Sequence, residues 1–188
     1  LEGSREKGLE LTGFDGSKPV LLIIGGSLGA VHINDMIRKI LDRLLEEFDI
    51  IHICGRGNLD PELSGHKGYV QYEYVADPLK DLFACADLMV SRAGANAICE
   101  ILALRKPNLL IPLSKAASRG DQILNAASFE KQGFSMVLQE EDMTEDSLFS
   151  AIERLWEDKA AYISSMESSP LSDAVGTIVG LIEETSHR

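Results

Sequence analysis

Short apolar runs alternate with amphipathic segments over most of the chain, and this alternation restricts the possible folds more than any other feature. The first run contains five consecutive aliphatic residues, which is typical of a strand buried on both faces of a sheet. Further runs of strand length follow. The predicted strands cover residues 19–24, 50–54, 69–75, 88–90, 109–111 and 136–138.

Helical signals separate most of these strands. Apolar residues repeat at intervals of three and four between Ile33 and Phe48, which predicts an amphipathic helix. Asp77 followed by Pro78 predicts an N-cap and a proline at the first helical position. Gly133 predicts a C-cap. The predicted helices cover residues 33–48, 78–84, 95–104, 121–132, 144–156 and 172–184.

Strands and helices at this spacing require crossover connections, and they give a mostly parallel sheet with helices on both faces. We therefore predict a Rossmann-like, doubly wound α/β domain with a six-stranded sheet over residues 18–188. Residues 1–17 are polar and contain glycine, and we predict that they are a linker remnant. Ligands of such sheets bind at the carboxyl ends of the strands, so functional residues are expected in the loops that follow the strands.

Charge and composition argue against several functions. Eighteen Lys and Arg residues against 30 Asp and Glu residues give a formal net charge of −12. The chain therefore lacks the basic face that nucleic acid or a polybasic membrane anchor needs. The three cysteines form no CxxC pair and are expected to be small buried side chains. The histidines are scattered without an HExxH motif, so no metal site is expected.

The first predicted strand ends in a glycine-rich loop, GGSLGA, at residues 25–30. Glycines after a strand let backbone amides approach a phosphate, and the N-terminus of the next helix favours negative charge. The loop has neither the GK[ST] of a Walker A motif nor the GxGxxG spacing. An NAD site also needs an acid near the end of the second strand. This chain has Arg56 there, so an NADP site remains an alternative, as does a tight turn without a ligand.

The fourth predicted strand is followed by SRAGA at residues 91–95 and then by Glu100. Gly94 and Ala95 are small enough for a ligand to contact the backbone. Glu100 stands among apolar residues on the predicted helix, where a carboxylate needs a partner. A sugar diol can supply two hydroxyl donors. A solvated carboxylate, or an ion pair with Arg92, is the alternative.

The fifth predicted strand leads through residues 114–120 to Asp121 and Gln122 at the start of a helix. Asp121 can act as an N-cap. Gln122 offers both a donor and an acceptor. Neighbouring Asp and Gln side chains suit the several hydroxyl groups of a sugar.

Together the three loops, with Glu100, Asp121, Gln122 and residues 125–126, resemble the carboxyl-terminal half of the MurG family. These are the peptidoglycan N-acetylglucosaminyltransferases of GT-B fold in glycosyltransferase family 28. The resemblance runs from about residue 18 to beyond residue 144, with the motifs in family order. It implies transfer of N-acetylglucosamine from UDP-N-acetylglucosamine to the C4 hydroxyl of the muramoyl sugar in lipid I, giving lipid II. It also implies inversion at the anomeric centre, no metal or other cofactor, and a role in bacterial cell-wall synthesis, cell shape and division.

The resemblance implies contacts with the nucleotide part of the donor. Ser27 and the backbone amides of Gly29 and Ala30 would face the diphosphate. The backbone of Val75 would hydrogen-bond to the uracil edge, with Tyr74 beside the base.

The resemblance also implies contacts with the two sugars. Glu100 would bind the ribose hydroxyls, and Ala95, Asp121 and Gln122 would contact the N-acetylglucosamine. Asp121 departs from the family members that carry glutamine at this position. His32, early in the first helix, could contact the ligand or lie at the surface.

At 188 residues the chain resembles about half of a family member. The resemblance therefore implies that the acceptor domain, which would bind lipid I, contact the membrane and supply the general base, is absent, and the chain alone is expected to bind donor without transferring it. The full-length protein is expected to be cytoplasmic and peripheral on the inner face of the bacterial plasma membrane. The alternatives are an NADP-dependent oxidoreductase domain and a non-catalytic nucleotide-sugar-binding module.

Overall fold

Six parallel strands form a single sheet in a computed structural model, which describes residues 3–26, 31–76, 78–114 and 120–169. They are β1 (Val20–Ile24), β2 (Asp49–Ile53), β3 (Tyr69–Tyr72), β4 (Leu88–Ser91), β5 (Asn108–Leu110) and β6 (Met136–Val137). The strand order is β3-β2-β1-β4-β5-β6, and each neighbouring pair is parallel. The order reverses direction between β1 and β4, which is where ligands bind in doubly wound sheets.

Helices cover both faces of this sheet. They are α1 (Arg5–Thr12), α2 (Val31–Lys39), α3 (Leu41–Glu47), α4 (Leu79–Cys85), α5 (Ala95–Leu104), α6 (Asp121–Lys131), α7 (Glu145–Glu157) and α8 (Lys159–Glu167). Short 3-10 turns occur at Pro61–Leu63 and Glu140–Asp142.

Alternate residues of β1 point to opposite faces of the sheet and enter two separate cores. Leu21 and Ile23 pack with apolar side chains of α2, α3 and α7. Val20 and Leu22 pack with those of α4, α5 and α6. All four side chains are fully buried. The predicted doubly wound fold is therefore confirmed, and the unbroken apolar run of β1 is explained by burial on both faces.

All six predicted strands are confirmed, although β3 ends at Tyr72 rather than at residue 75. The single helix predicted over residues 33–48 is wrong: it is divided at Ile40, whose backbone leaves helical geometry (φ −104°, ψ 10°). The prediction that Pro78 occupies the first helical position is also wrong, because it precedes the first helical residue. The predicted N-cap Asp77 and the helix over residues 172–184 lie outside the described residues. The sequence analysis missed α8, whose stretch KAAYISSME has no regular apolar face.

The linker prediction for residues 1–17 is wrong where α1 forms. This helix packs closely against α4, and a Cβ on Gly8 would lie 2.3 Å from the Asp81 carbonyl oxygen. Arg5 makes two hydrogen bonds to the Asp87 carboxylate, at 2.9 and 3.1 Å. The same carboxylate accepts from the Val20 N–H at 2.9 Å, so α1 is tied to the start of β1. These tertiary polar contacts leave little periodic signal in the sequence.

Cys54 and Cys85 are buried as predicted, but the prediction is wrong for Cys99, which is exposed on the outer side of α5. Among the described residues, no three His, Cys, Asp or Glu side chains lie close enough to hold a metal ion together. Within the same ranges, no helix has the length and apolar character needed to cross a membrane.

A buried polar network joins α2 to the sheet. His52 Nε2 lies 2.9 Å from Asn34 Oδ1, and His52 Nδ1 lies 2.9 Å from the Tyr69 hydroxyl. The Asn34 amide donates to the Cys54 carbonyl at 2.9 Å. Its Oδ1 is therefore the acceptor, so the His52 proton sits on Nε2. Burial, and to a smaller extent the charge of Arg38, lowers the pKa of His52 to about 3.

We expect this network to make folding sensitive to acid. Unfolded His52 takes up a proton below about pH 6.5, whereas the folded state resists protonation until the pH nears 3. Stability should fall by about 1.4 kcal/mol per pH unit from this residue alone as the pH drops below about 6. Denaturant unfolding of the parent chain and His52→Gln at a series of pH values measures the effect. The variant keeps a donor and an acceptor but does not titrate, so its stability should depend less on pH. Equal dependence in both proteins would contradict the assignment.

Candidate functional site

A cavity of about 470 Å³ lies at the carboxyl ends of β1, β4 and β5, beside the point where the strand order reverses. Its size is within the usual range for small-molecule sites. Loops after three strands and the first turns of two helices surround it. The lining residues are Ile24, Gly25, Gly26, Ser91, Arg92, Gly94, Ala95, Asn96, Ala97, Leu113 and Gln122.

Gly25 and Gly26 bring the backbone of the first loop to the cavity wall. Gly26 has a φ of +75°, a left-handed conformation that glycine adopts with little strain. Ser27, Gly29 and Ala30, the residues predicted to face a diphosphate, lie outside the described residues. Their role stays a prediction.

The first turn of α5 presents backbone donors to the same cavity. Gly94 is the N-cap and provides no side-chain acceptor for the helix. Within the described part of the chain, the N–H groups of Ala95, Asn96 and Ala97 have no hydrogen-bond partner, as at any uncapped helix start. Such a helix start attracts anions. The sequence indicated Ala95 as a site residue but not the amides of Asn96 and Ala97, because a backbone N–H donor is not marked by residue type.

Glu100 is exposed on α5, outside the cavity lining, and its neighbours Ile98 and Ile101 are buried in the core. The sequence predicted an apolar neighbourhood around its carboxylate. The structure instead separates the apolar and exposed faces of the helix. Desolvation nevertheless raises the pKa of the Glu100 carboxyl. Its carboxylate makes no hydrogen bond or ion pair with the described residues, so the alternative of a pair with Arg92 is wrong.

Gln122 lies on the first turn of α6 and lines the cavity. Its Oε1 accepts from the Leu113 N–H at 3.1 Å, which leaves the amide NH₂ group available to a ligand. Asp121 is exposed and lies outside the lining. The expectation that Asp121 caps the helix is wrong, because Gly120, with φ +90°, is the N-cap and Asp121 is the first helical residue.

The loop after β3 carries Tyr74 and Val75. Tyr74 is 71% exposed, whereas the Val75 side chain is buried in the core below it. Among the described residues, the backbone N–H and C=O of Val75 make no hydrogen bond. A free donor and acceptor therefore stand side by side next to an exposed aromatic ring.

Glu140, which follows β6, was not predicted from the sequence to lie near the site. Its Oε1 lies 2.5 Å from Arg92 Nη2, and its Oε2 accepts from the Ser114 N–H at 3.1 Å. Arg92 also donates to the carbonyls of residues 111 and 112. His32, half exposed, lies 3.5 Å from Glu140 Oε1. Burial alone would raise the pKa of Glu140, but the hydrogen bonds from Arg92 and Ser114 outweigh it and lower the pKa.

The sequence matches the family model described as the glycosyltransferase family 28 C-terminal domain over residues 20–178. A curated relative from Geobacillus thermodenitrificans is 61% identical over 184 residues, covering 98% of this chain and 52% of the relative. Another relative, from Lachnospira eligens, is 53% identical over 186 residues, which cover 99% of this chain and 52% of the relative. Both are named UDP-N-acetylglucosamine–N-acetylmuramyl-(pentapeptide) pyrophosphoryl-undecaprenol N-acetylglucosamine transferase. The chain thus spans about half the length of these relatives.

Solved structures agree on the fold. The crystal structure of Acinetobacter baumannii MurG superposes with a TM-score of 0.70 at 24% identity, covering 96% of this chain and 53% of that chain. The crystal structure of the glycotransferase of kitacinnamycin superposes with a TM-score of 0.71 at 22% identity, covering 90% of this chain and 44% of that chain.

These matches confirm the predicted family and favour a glycosyltransferase over an NADP-dependent oxidoreductase. The family model covers most of the chain, including every loop that surrounds the cavity. The chain therefore belongs to glycosyltransferase family 28, of which it represents the carboxyl-terminal domain.

Proposed function

We propose that this chain is the donor-binding domain of an inverting N-acetylglucosaminyltransferase that converts lipid I to lipid II. The names of the curated relatives support this substrate pair. The observation that carries the proposal is the cavity itself, where an uncapped helix start and a glycine loop adjoin the amide of Gln122. A diphosphate joined to a sugar needs those two chemistries side by side.

The diphosphate is proposed to lie between Gly25–Gly26 and the first turn of α5. The free N–H groups there are fixed in direction by the helix and need no rearrangement to bind an anion. Negative charge grows on UDP as the glycosidic bond breaks, so these dipoles stabilise the leaving group. Ser27, Gly29 and Ala30 are proposed to complete this site.

The nucleoside is proposed to lie along Val75, Tyr74 and Glu100. The Val75 N–H can donate to uracil O4, and its C=O can accept from uracil N3–H. The exposed ring of Tyr74 offers a stacking surface beside the base. Glu100 has two unengaged acceptor oxygens for the ribose diol.

The N-acetylglucosamine is proposed to contact Ala95, Asp121 and the NH₂ group of Gln122. The acceptor hydroxyl must approach in line with the anomeric carbon, and such positioning supplies much of the rate. We propose that the remainder of the full-length protein binds lipid I, supplies the general base and associates with the inner face of the plasma membrane. The absence of a metal requirement stays a prediction.

Selectivity for uridine tests the proposal directly. Cytosine reverses the donor and acceptor at the edge that faces Val75, so CDP loses both hydrogen bonds. At about 1 kcal/mol each, this predicts at least about tenfold weaker binding of CDP than of UDP. Titration calorimetry with the 188-residue chain measures both, with NADP as the control for the alternative function. Equal affinities for UDP and CDP, or tight binding of NADP, would contradict the proposal.

Glu100→Gln should weaken UDP binding without unfolding the protein. The substitution removes the charge from the hydrogen bonds to the ribose, which is worth about 1.5–3 kcal/mol. The carboxylate has no protein partner among the described residues, so the melting temperature should hardly change. Glu157→Gln, at an exposed residue that ends α7, is the matched control. Unfolding with retained affinity would instead make Glu100 structural.

Gln122→Ala should separate the sugar from the nucleotide. We expect weaker binding of UDP-N-acetylglucosamine and nearly unchanged binding of UDP, because the lost NH₂ group faces the sugar. Calorimetry with the two ligands gives the comparison, and Gln132→Ala at the other end of α6 is the control. An equal loss for both ligands would show that the Leu113 contact of Gln122 matters more than its contact with the sugar.

A further inference from the structure

The carboxylate of Glu140 contacts two of the loops that surround the cavity and the helix that follows the third, although Glu140 itself is outside the cavity lining. Its partners lie on different elements: Arg92 after β4, Ser114 after β5, and His32 in the first turn of α2. Arg92 extends the connection, because its guanidinium also donates to the carbonyls of residues 111 and 112.

The contact between Arg92 and Glu140 is shielded from solvent. The Arg92 side chain is 5% exposed and the Glu140 side chain is 12% exposed. A charge-assisted hydrogen bond in such a setting is stronger and more restrictive than a pair at the surface. This pair therefore restrains the loop after β4 against Glu140 and against the carbonyls of residues 111 and 112.

The contact with Ser114 connects Glu140 to Gln122, the residue proposed to contact the sugar. The preceding residue, Leu113, donates its N–H to Gln122 Oε1. Consecutive residues of one loop thus bind Glu140 on one side and Gln122 on the other. We propose, on the basis of the proposed function, that Glu140 is a positioning residue that orients Gln122 toward the donor sugar.

The geometry also explains why a carboxylate is needed. One oxygen faces the guanidinium and the other faces a backbone N–H, so both atoms must accept. Glutamine would turn an NH₂ group toward one of these donors. Aspartate keeps the charge, but its side chain is one methylene shorter and reaches both partners less well.

Binding of UDP and UDP-N-acetylglucosamine by the 188-residue chain tests the proposal, at a temperature where melting curves show each variant to be folded. Glu140→Gln should lower the affinity for UDP-N-acetylglucosamine about tenfold and that for UDP clearly less. Glu140→Asp should fall between Glu140→Gln and the parent chain. Glu141→Gln, in the same 3-10 turn but exposed, should bind like the parent.

A folded Glu140→Gln with parental affinity for UDP-N-acetylglucosamine overturns the proposal, even if its melting temperature is lower. An equal loss for both ligands overturns it as well. If Glu140→Gln does not fold, Glu140→Asp decides alone, and parental affinity in that variant overturns the proposal. Failure of the parent chain to bind either ligand would instead refute the proposed function on which this inference rests.

Discussion

Burial of the central strands on both faces is the constraint on which the rest of the structure depends. A parallel sheet must have helices on both sides, so each strand is followed by a connection that crosses one face. In β1 every side chain from Val20 to Ile23 is fully buried, and the strand has neighbours on both edges. The two connections that leave β1 and β4 depart in opposite directions, and the space between them is the cavity. The position of the cavity thus follows from the strand order, and the chemical groups that line it come mainly from the loops after the strands.

The sequence predicted those elements whose buried faces require a regular pattern of apolar residues. The run of β1 could be recognised because every residue contributes to a core, and α7 because Leu148, Ile152 and Leu155 follow a helical period. Elements held by other forces were missed or misplaced. The α1 helix depends on the contacts of Arg5 with Asp87, between residues 82 positions apart. At Ile40 the backbone leaves helical geometry while the helical spacing of apolar residues continues, so the division could not be predicted from periodicity.

Some residues in and near the cavity were singled out from the sequence, and others were not. Gln122 and Ala95 line the cavity, and their contacts with a sugar stay a prediction. Ala95 could be singled out from the sequence because glycine and small residues mark the loop after the fourth strand. Glu140 was missed for a different reason. It belongs to no motif and follows a strand of two residues, and its contacts with Arg92 and Ser114 form only when β6 lies beside β5. Long-range polar contacts of this kind depend on the strand order, which a single sequence shows only indirectly.

The distribution of backbone and side-chain groups in the site follows from this architecture. Groups that would contact the invariant parts of a nucleotide, the diphosphate and the uracil edge, are backbone N–H and C=O groups fixed by α5 and by the buried side chain of Val75. The side chains that would contact the sugar, Asp121 and Gln122, lie in the first turn of α6, and Gln122 is hydrogen-bonded to the loop that contains Leu113 and Ser114. Backbone groups survive most substitutions, whereas side-chain contacts change with a single residue. Under the proposed function, binding of the diphosphate and the uracil edge would therefore depend on the backbone, and discrimination among sugars would depend on the polar contacts of Gln122, Ser114 and Glu140.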